Sequence, residues 1–391
     1  MRILLLSVGD GESWQSWSGS TKSLVDHLRG SGHTVICRNV DLRGFVKWRT
    51  ALSTFSFERR RWWVKYQLGA RGFFERSRLA QKAVDDPSLA FDAILQIGAT
   101  FRVISPKGVP LALYCDSNIE LAKAGAEVGV SEASVLDPKR FLDVVDRERS
   151  VYLAADHIFS MSHRLRRSFV DDFQVAEHQV QTVHPGPNFP IGEEPEVPER
   201  SLRGDPTVLF IGRDFERKGG TLLLNAFSQV RSTLPRAKLL VVGPDELPLS
   251  AEDPRREGVR LLGFLNKTTP QGQEEIYDAY AQARVFCLPT RFEPFGIVFL
   301  EAMHYRLPCV GPDAWAVPEI IQEGATGLLF QPNDEKALAS ALLTLLKDPQ
   351  RALRMGEAGR RRLEMEFSWS LAADRIVAGL RQLPDTGSSP V

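Results

Sequence analysis

The stretch PGPNFPIGEEPEVPERSLRGDP, residues 185–206, decides how the chain is organised. Proline, glycine and charge crowd it and no apolar period runs through it, so it reads as a linker between packed domains. Short apolar runs alternate with helical patterns on both sides. Upstream lie RILLLSV (2–8), FDAILQIG (91–98), VPLALYCD (109–116), DHIFSMS (156–162) and HQVQTVHPG (178–186), while STKSLVDHLRGSGHTVICRNV (20–40) reads as helix, glycine stop and strand. A continuous apolar run starting at residue 2 suits a strand buried on both faces. Downstream come TVLFIGR (207–213), a helix from Gly219 to about Thr233, AKLLVVG (237–243), VRLLGFL (259–265), the helical EEIYDAYAQA (274–283), RVFCLPT (284–290), a helix from about Gly296, and PCVGP (308–312). This alternation predicts two doubly wound α/β domains, 1–188 and 207–369, joined by a linker over 189–206. A last helix is expected over 370–385 within a tail that reads as helical to about residue 383, with a frayed end, PDTGSSPV, after it.

The totals agree with two domains and remove several functions. A chain of 391 residues exceeds one ordinary core. Lys plus Arg and Asp plus Glu both number 49, so no overall basic field argues for nucleic acid as the main partner. Cys37, Cys115, Cys287 and Cys309 sit in apolar runs with no paired spacing, as reduced core thiols do, rather than zinc ligands or disulfides. The N-terminal apolar run is too short for a signal peptide and no run approaches the length of a membrane span, so a cytoplasmic protein is expected. A nicotinamide oxidoreductase would need a glycine fingerprint after the first strand, and GDGESWQSWSG has the wrong spacing.

Chemistry is concentrated where strands of the second half end. After TVLFIG comes RDFERKGG, with Arg213 at the strand's carboxyl end and Lys218 before the glycine pair that opens a helix. Two cations beside a helix N-terminus suit a diphosphate, although a solvated basic turn has the same composition. The segment LPTRFEPFGIVFLEAM (288–303) then sets Glu293 in a loop and Glu301 in the first two turns of the following helix. Two carboxylates around an apolar run can each hold a vicinal diol, one on a sugar ring and one on a ribose, while amides near 295–298 face phosphate. A capping Glu293 and an arginine-paired Glu301 are the structural alternative.

GRDFERKGG, LLVVGP, LLGFL, IYDAYAQARVFCLPTRFEPFGIVFLEAM, LPCVGPDAWAVPEIIQEGATGLLFQPND and FSW, in this order, resemble the family 4 glycosyltransferases of GT-B fold. The resemblance covers essentially the whole second domain. It implies two Rossmann-like domains facing across a cleft, with the C-terminal helix returning to the first, and retaining transfer of a hexose-type sugar from a nucleotide diphosphate sugar. By position it implies that Arg213 and Lys218 neutralise the diphosphate and that Glu293 holds the transferred sugar. Phe295, Gly296, Ile297 and Val298 would present amides, Glu301 would hold the ribose, Gly212 would lie in the donor loop, and Leu265 would flank the base. In the front-face scheme so implied, the departing phosphate oxygen takes the acceptor proton. No cofactor is then expected beyond the donor substrate, and without an Asp-x-Asp pair no metal.

The first domain matches less closely. Gly19 in WSGSTKSL looks like the family's loop glycine, which lets backbone approach the donor phosphate; an ordinary turn glycine is the other reading. Many members carry a histidine where this chain has Cys115 and Asp116, and Asp116 could orient or deprotonate the acceptor hydroxyl or simply cap a turn. His163 and His184 near other strand ends read as structural. The basic, aromatic FSFERRRWWVKYQLGARGFFERSR (55–78) either rests on an anionic membrane surface at the inner face of the membrane or is a helix whose aromatics enter the core under covering arginines. The acceptor is expected to be a glycan, a lipid-linked species or a small molecule in cell-envelope, glycolipid or polysaccharide biosynthesis. The competing class is a catalytically silent sugar-nucleotide or membrane-surface binding module.

Overall fold

The computed structural model describes residues 1–126, 129–189 and 204–383. Most of the expected linker, 190–203, and the expected frayed end, 384–391, lie outside the described residues. Two compact units result, Met1–Ile191 with Trp369–Val391, and Gly192–Ser368.

The first unit is built on six parallel strands: β1 (Arg2–Ser7), β2 (Thr34–Asn39), β3 (Ala93–Ile97), β4 (Leu111–Cys115), β5 (His157–Ser160) and β6 (Val180–Thr182), in the order β2-β1-β3-β4-β5-β6. Leu4, Leu5, Leu6, Ile94, Leu95 and Leu113 are wholly buried, as the continuous apolar runs require of a sheet covered on both faces. Its helices are α1 (Ser20–Gly30), α2 (Gly44–Ser53), α3 (Arg59–Leu68), α4 (Ala70–Val84), α5 (Ile119–Ala126), α6 (Pro138–Tyr152) and α7 (His163–Asp171). Side-chain caps start the last two: Asp137 accepts from the Arg140 N–H at 3.0 Å with Pro138 in the first turn, and Ser162 accepts from the Leu165 N–H at 3.0 Å.

The second unit carries β7 (Thr207–Ile211), β8 (Lys238–Val242), β9 (Val259–Gly263), β10 (Val285–Cys287), β11 (Cys309–Pro312) and β12 (Gly327–Phe330), all parallel and ordered β12-β11-β10-β7-β8-β9. Its helices are α8 (Gly220–Thr233), α9 (Pro270–Gln282), α10 (Ile297–His304), α11 (Val317–Ile320), α12 (Glu335–Lys347) and α13 (Pro349–Glu366). The first strand, β7, lies centrally, with β8 and β9 laid to one side and β10 to β12 to the other. Its carboxyl edge between β7 and β10 is therefore the point where strand order reverses, the usual ligand position in such sheets. The final helix α14 (Trp369–Gln382) packs on α1 and β5 of the first unit.

Three sequence expectations change in detail. GLLF forms the edge strand β12, which the apolar runs did not single out. The tail, read as helical to about residue 383, is divided into three helices, because Asp348 accepts from the Arg351 N–H with Pro349 in the first turn, and Phe367–Ser368 ends the next helix before the last one at Trp369–Gln382. The basic aromatic segment is two helices split at Gly69, and its aromatics divide: Phe73 enters the core as the covered-aromatic reading expects, while Phe57, Trp63 and Phe74 face solvent and Arg76 is inside. Arg76 is affordable there because it donates to the Gln67 carbonyl and to Gln67 Oε1, each at 2.7 Å, and stacks over Tyr66.

Candidate active site

The loop that leaves β7 is shaped by glycines. A Cβ on Gly212 would come within 2.9 Å of Lys218 Cγ, so its absence leaves room for the lysine stem. Gly219, at φ +76°, caps α8, and a Cβ there would fall 1.9 Å from the Pro289 carbonyl oxygen. The loops after β7 and β10 thus touch backbone to backbone. Two further bonds hold them: the Arg291 N–H donates to the Arg217 carbonyl at 2.9 Å, and the Arg217 guanidinium to the Phe292 carbonyl at 3.2 Å.

That approach brings Lys218 onto Glu293 as an ion pair between side chains only 15% and 8% exposed. Burial pulls the Lys218 amine below its ordinary pKa, while the Glu293 carboxylate works in the opposite direction. Arg213 is exposed at the rim, its guanidinium 5.3 Å from the Phe264 ring centroid, and Leu265 is buried just beyond β9.

Glu301 is 4% exposed, one turn into α10. Its partner is not an arginine. The Lys267 amine pairs with it, and the Tyr280 hydroxyl donates to it at 3.3 Å. Burial first, and Glu301 second, push the Tyr280 hydroxyl well above its ordinary pKa, so it stays a donor. Tyr280 is itself fixed by stacking on Tyr305 at 4.2 Å. Gly296 caps α10 at φ +111°, between buried Phe295 and half-buried Ile297 and Val298. The first N–H groups of α10 have no acceptor within their own helix and suit an anion. Gly212, Arg213, Lys218, Leu265, Glu293, Phe295, Gly296, Ile297, Val298 and Glu301 therefore follow the carboxyl ends of β7, β9 and β10 on one edge of one sheet.

Gly19 and Asp116 belong to the first unit. Gly19, at φ +89°, caps α1 after Trp17 and Ser18, which also have positive φ (46° and 55°) without being glycine. Each such residue costs about 1–2 kcal/mol. The strain is held by Asn188, which donates to the Ser18 carbonyl at 2.8 Å and to Ser20 Oγ at 3.2 Å, and by Trp17, whose indole donates to Asp116 Oδ2 at 3.0 Å. Burial pushes Asp116 up to about 6, with the Trp17 bond opposing. Asp116 is thus the anchor of the Gly19 loop as well as an ionisable group at the end of β4. His163 pairs with Thr182 Oγ1 at 3.2 Å and His184 with the Met161 carbonyl at 2.8 Å. Burial keeps Cys115, Cys287 and Cys309 protonated and, chiefly through burial, pushes Cys37 up to about 12.

Lys267, Tyr280, Trp17 and Asn188 were missed from sequence. Lys267 had a readable signal, its place two residues beyond Leu265 at the same sheet edge. Asn188 had none, because it stands at the last residue assigned to the first domain, in the proline- and glycine-rich stretch without apolar period.

Two doubly wound six-stranded parallel sheets define the α/β class of the GT-B glycosyltransferases. Residues 193–362, within the second unit, match the family model of glycosyl transferases group 1. Among solved structures, sucrose-phosphate synthase from Thermosynechococcus elongatus superposes with a TM-score of 0.67 at 21% identity, over 98% of this chain and 99% of that one. HepE from Anabaena, in complex with UDP and glucose, gives a TM-score of 0.62 at 14% identity, over 98% and 100%. Alpha-maltose-1-phosphate synthase of Mycolicibacterium smegmatis is 30% identical over 258 residues, 60% of this chain and 65% of the relative. The chain spans about half the length of several other curated relatives it matches.

Proposed function

We propose that the protein is a retaining glycosyltransferase that moves a hexose-type sugar from a nucleotide diphosphate sugar to a hydroxyl acceptor in the cytoplasm. The observation that carries this is the pair of buried glutamates, each neutralised by a lysine, at the reversal point of the second sheet. A buried ion pair is a poor stabiliser by itself, which favours a role in binding. In this reading Glu293 holds sugar hydroxyls and Glu301 the ribose, with Leu265 beside the base. As the glycosidic bond breaks, negative charge grows on the diphosphate. Arg213, Lys218 and the amides of residues 295–298 oppose it before the chain has to reorganise. With those charges in place the reaction needs no metal, and a chelator leaves its rate unchanged. The departing phosphate oxygen takes the acceptor proton on the same face, so no protein nucleophile is used, and Asp116 orients the acceptor.

The UDP and glucose bound to the Anabaena neighbour support a nucleotide donor. The test is thermal unfolding of wild type and Glu301→Ala with UDP, GDP, ADP and their sugar conjugates. A ligand at 100 times its Kd stabilises by about 2.7 kcal/mol. One nucleotide series should raise the wild-type melting point and not the variant's. Failure of every series at millimolar concentration overturns the reading. The product's anomeric configuration, read by NMR, tests retention.

A further inference from the structure

Among the described residues twelve large apolar side chains are exposed, and seven of them, Phe45, Trp48, Leu52, Phe55, Phe57, Trp63 and Phe74, fall within 30 residues. Phe45, Trp48 and Leu52 are spaced i, i+3, i+7 on α2, the pattern that normally turns an apolar stripe toward a core. Here the stripe faces outward, at 71%, 62% and 53% exposure, and the one buried residue of α2 is Thr50.

This is not a loose segment. α2, α3 and α4 pack on one another. The Trp62 indole donates to the Ala51 carbonyl at 2.8 Å, and Phe55 meets Trp62 edge-on at 5.6 Å. Arg60 reaches the carbonyls of Gly129 and Ser131, each at 2.7 Å, and Arg147 the Leu68 carbonyl at 2.6 Å. The polar bonds point inward and the rings outward.

Charge says what covers them. Residues 43–78 hold ten Arg or Lys against two Glu, in a chain of zero net charge. Arg43, Lys47, Arg59 and Arg61 are exposed and make no ion pair among the described residues. A second copy of this chain would set like charges against each other. A bilayer with anionic headgroups satisfies both features, since amphipathic rings lodge at the acyl boundary while the cations meet phosphates.

We propose that α2, α3 and the α2–α3 connection form a docking face for an anionic lipid bilayer, with Phe45, Trp48, Phe57 and Trp63 inserted and Lys47, Arg59 and Arg61 at the headgroups. The inference does not require the transferase reading, and its test contains no sugar nucleotide.

The full chain is sedimented with vesicles of phosphatidylcholine alone or mixed with phosphatidylglycerol. Binding is expected to the mixed vesicles only, with a blue shift of tryptophan emission, and to weaken as salt rises. Lys47→Gln/Arg59→Gln/Arg61→Gln should weaken it on the order of 100-fold, at about a factor of five per charge. Trp48→Ser/Phe57→Ser/Trp63→Ser should remove the blue shift with circular dichroism unchanged. Absence of binding to mixed vesicles at low salt overturns the proposal, as does equal binding by the wild type and both variants. A wild-type dimer dispersed by the aromatic variant, with no vesicle binding, also overturns it.

Discussion

Replacing Lys218 by methionine strands Glu293 without its counterion. Side chains 15% and 8% exposed have little water to fall back on, and breaking a buried pair costs about 3–5 kcal/mol. At about 2–4 °C per kcal/mol for a domain of this size, even the lower figure lowers the second unit's melting point by roughly 6–12 °C. Glu293→Gln alone should destabilise comparably by leaving the amine in a site that already disfavours its charge. The double variant Lys218→Met/Glu293→Gln removes both charges and should return to within about 1 kcal/mol of wild type. Scanning calorimetry of the four proteins completes the cycle. Repeating it with the nucleotide sugar that stabilises wild type separates folding from binding, because the restored double variant should show no ligand shift. Single variants within about 0.5 kcal/mol of wild type would mean that the pair is solvated and the burial argument wrong. A double variant that binds donor as wild type does would remove both residues from the site.

Gly219→Ala should destabilise by at least about 2 kcal/mol, combining a left-handed φ with a Cβ driven into the Pro289 carbonyl; urea unfolding reads it, and a neutral result means the two loops part easily. Asp116, raised by burial to about 6, is favoured protonated in the fold. Its stabilisation is therefore complete below about pH 4 and lost as pH climbs through 6, leaving a cost of about 1–2 kcal/mol at neutrality after allowance for its partial exposure. Asp116→Asn should reduce the slope of melting points recorded between pH 4 and 8, the remainder coming from Glu148, which burial pushes up to about 7, and an unchanged slope would show that the Asp116 carboxyl is ordinarily solvated.

The strands were legible because they are continuous apolar runs ended by glycine or proline, and a sheet buried on both faces leaves no other place for RILLLS or KLLVV. β12 escaped because four residues, one of them a glycine, carry too little pattern. The helix break at Asp348 was readable in principle, since aspartate before proline is a capping signal. Glu293 and Glu301 were conspicuous as carboxylates beside apolar residues. Their partners were not, because pairing Lys267 with a residue 34 positions away depends on how the loop after β9 is brought to α10. The outward stripe on α2 shows the limit of periodicity: a 3.6-residue period says that one face is apolar, and only tertiary structure says which way it looks.

Asn188 and Trp369 stand at the two places where the chain leaves the first unit and comes back to it. The Trp369 indole donates to Asn188 Oδ1 and to the Pro187 carbonyl, both at 3.1 Å. Exit and re-entry are thus fastened together, and the family domain is an insertion carried on a closed frame. Topologically, its 177 residues could be exchanged for a short glycine bridge without asking the first unit to move its ends. The same knot lets the frame accept a different second unit while keeping its own loops and its outward-facing aromatic helices, a route by which the two units can be recombined as whole parts.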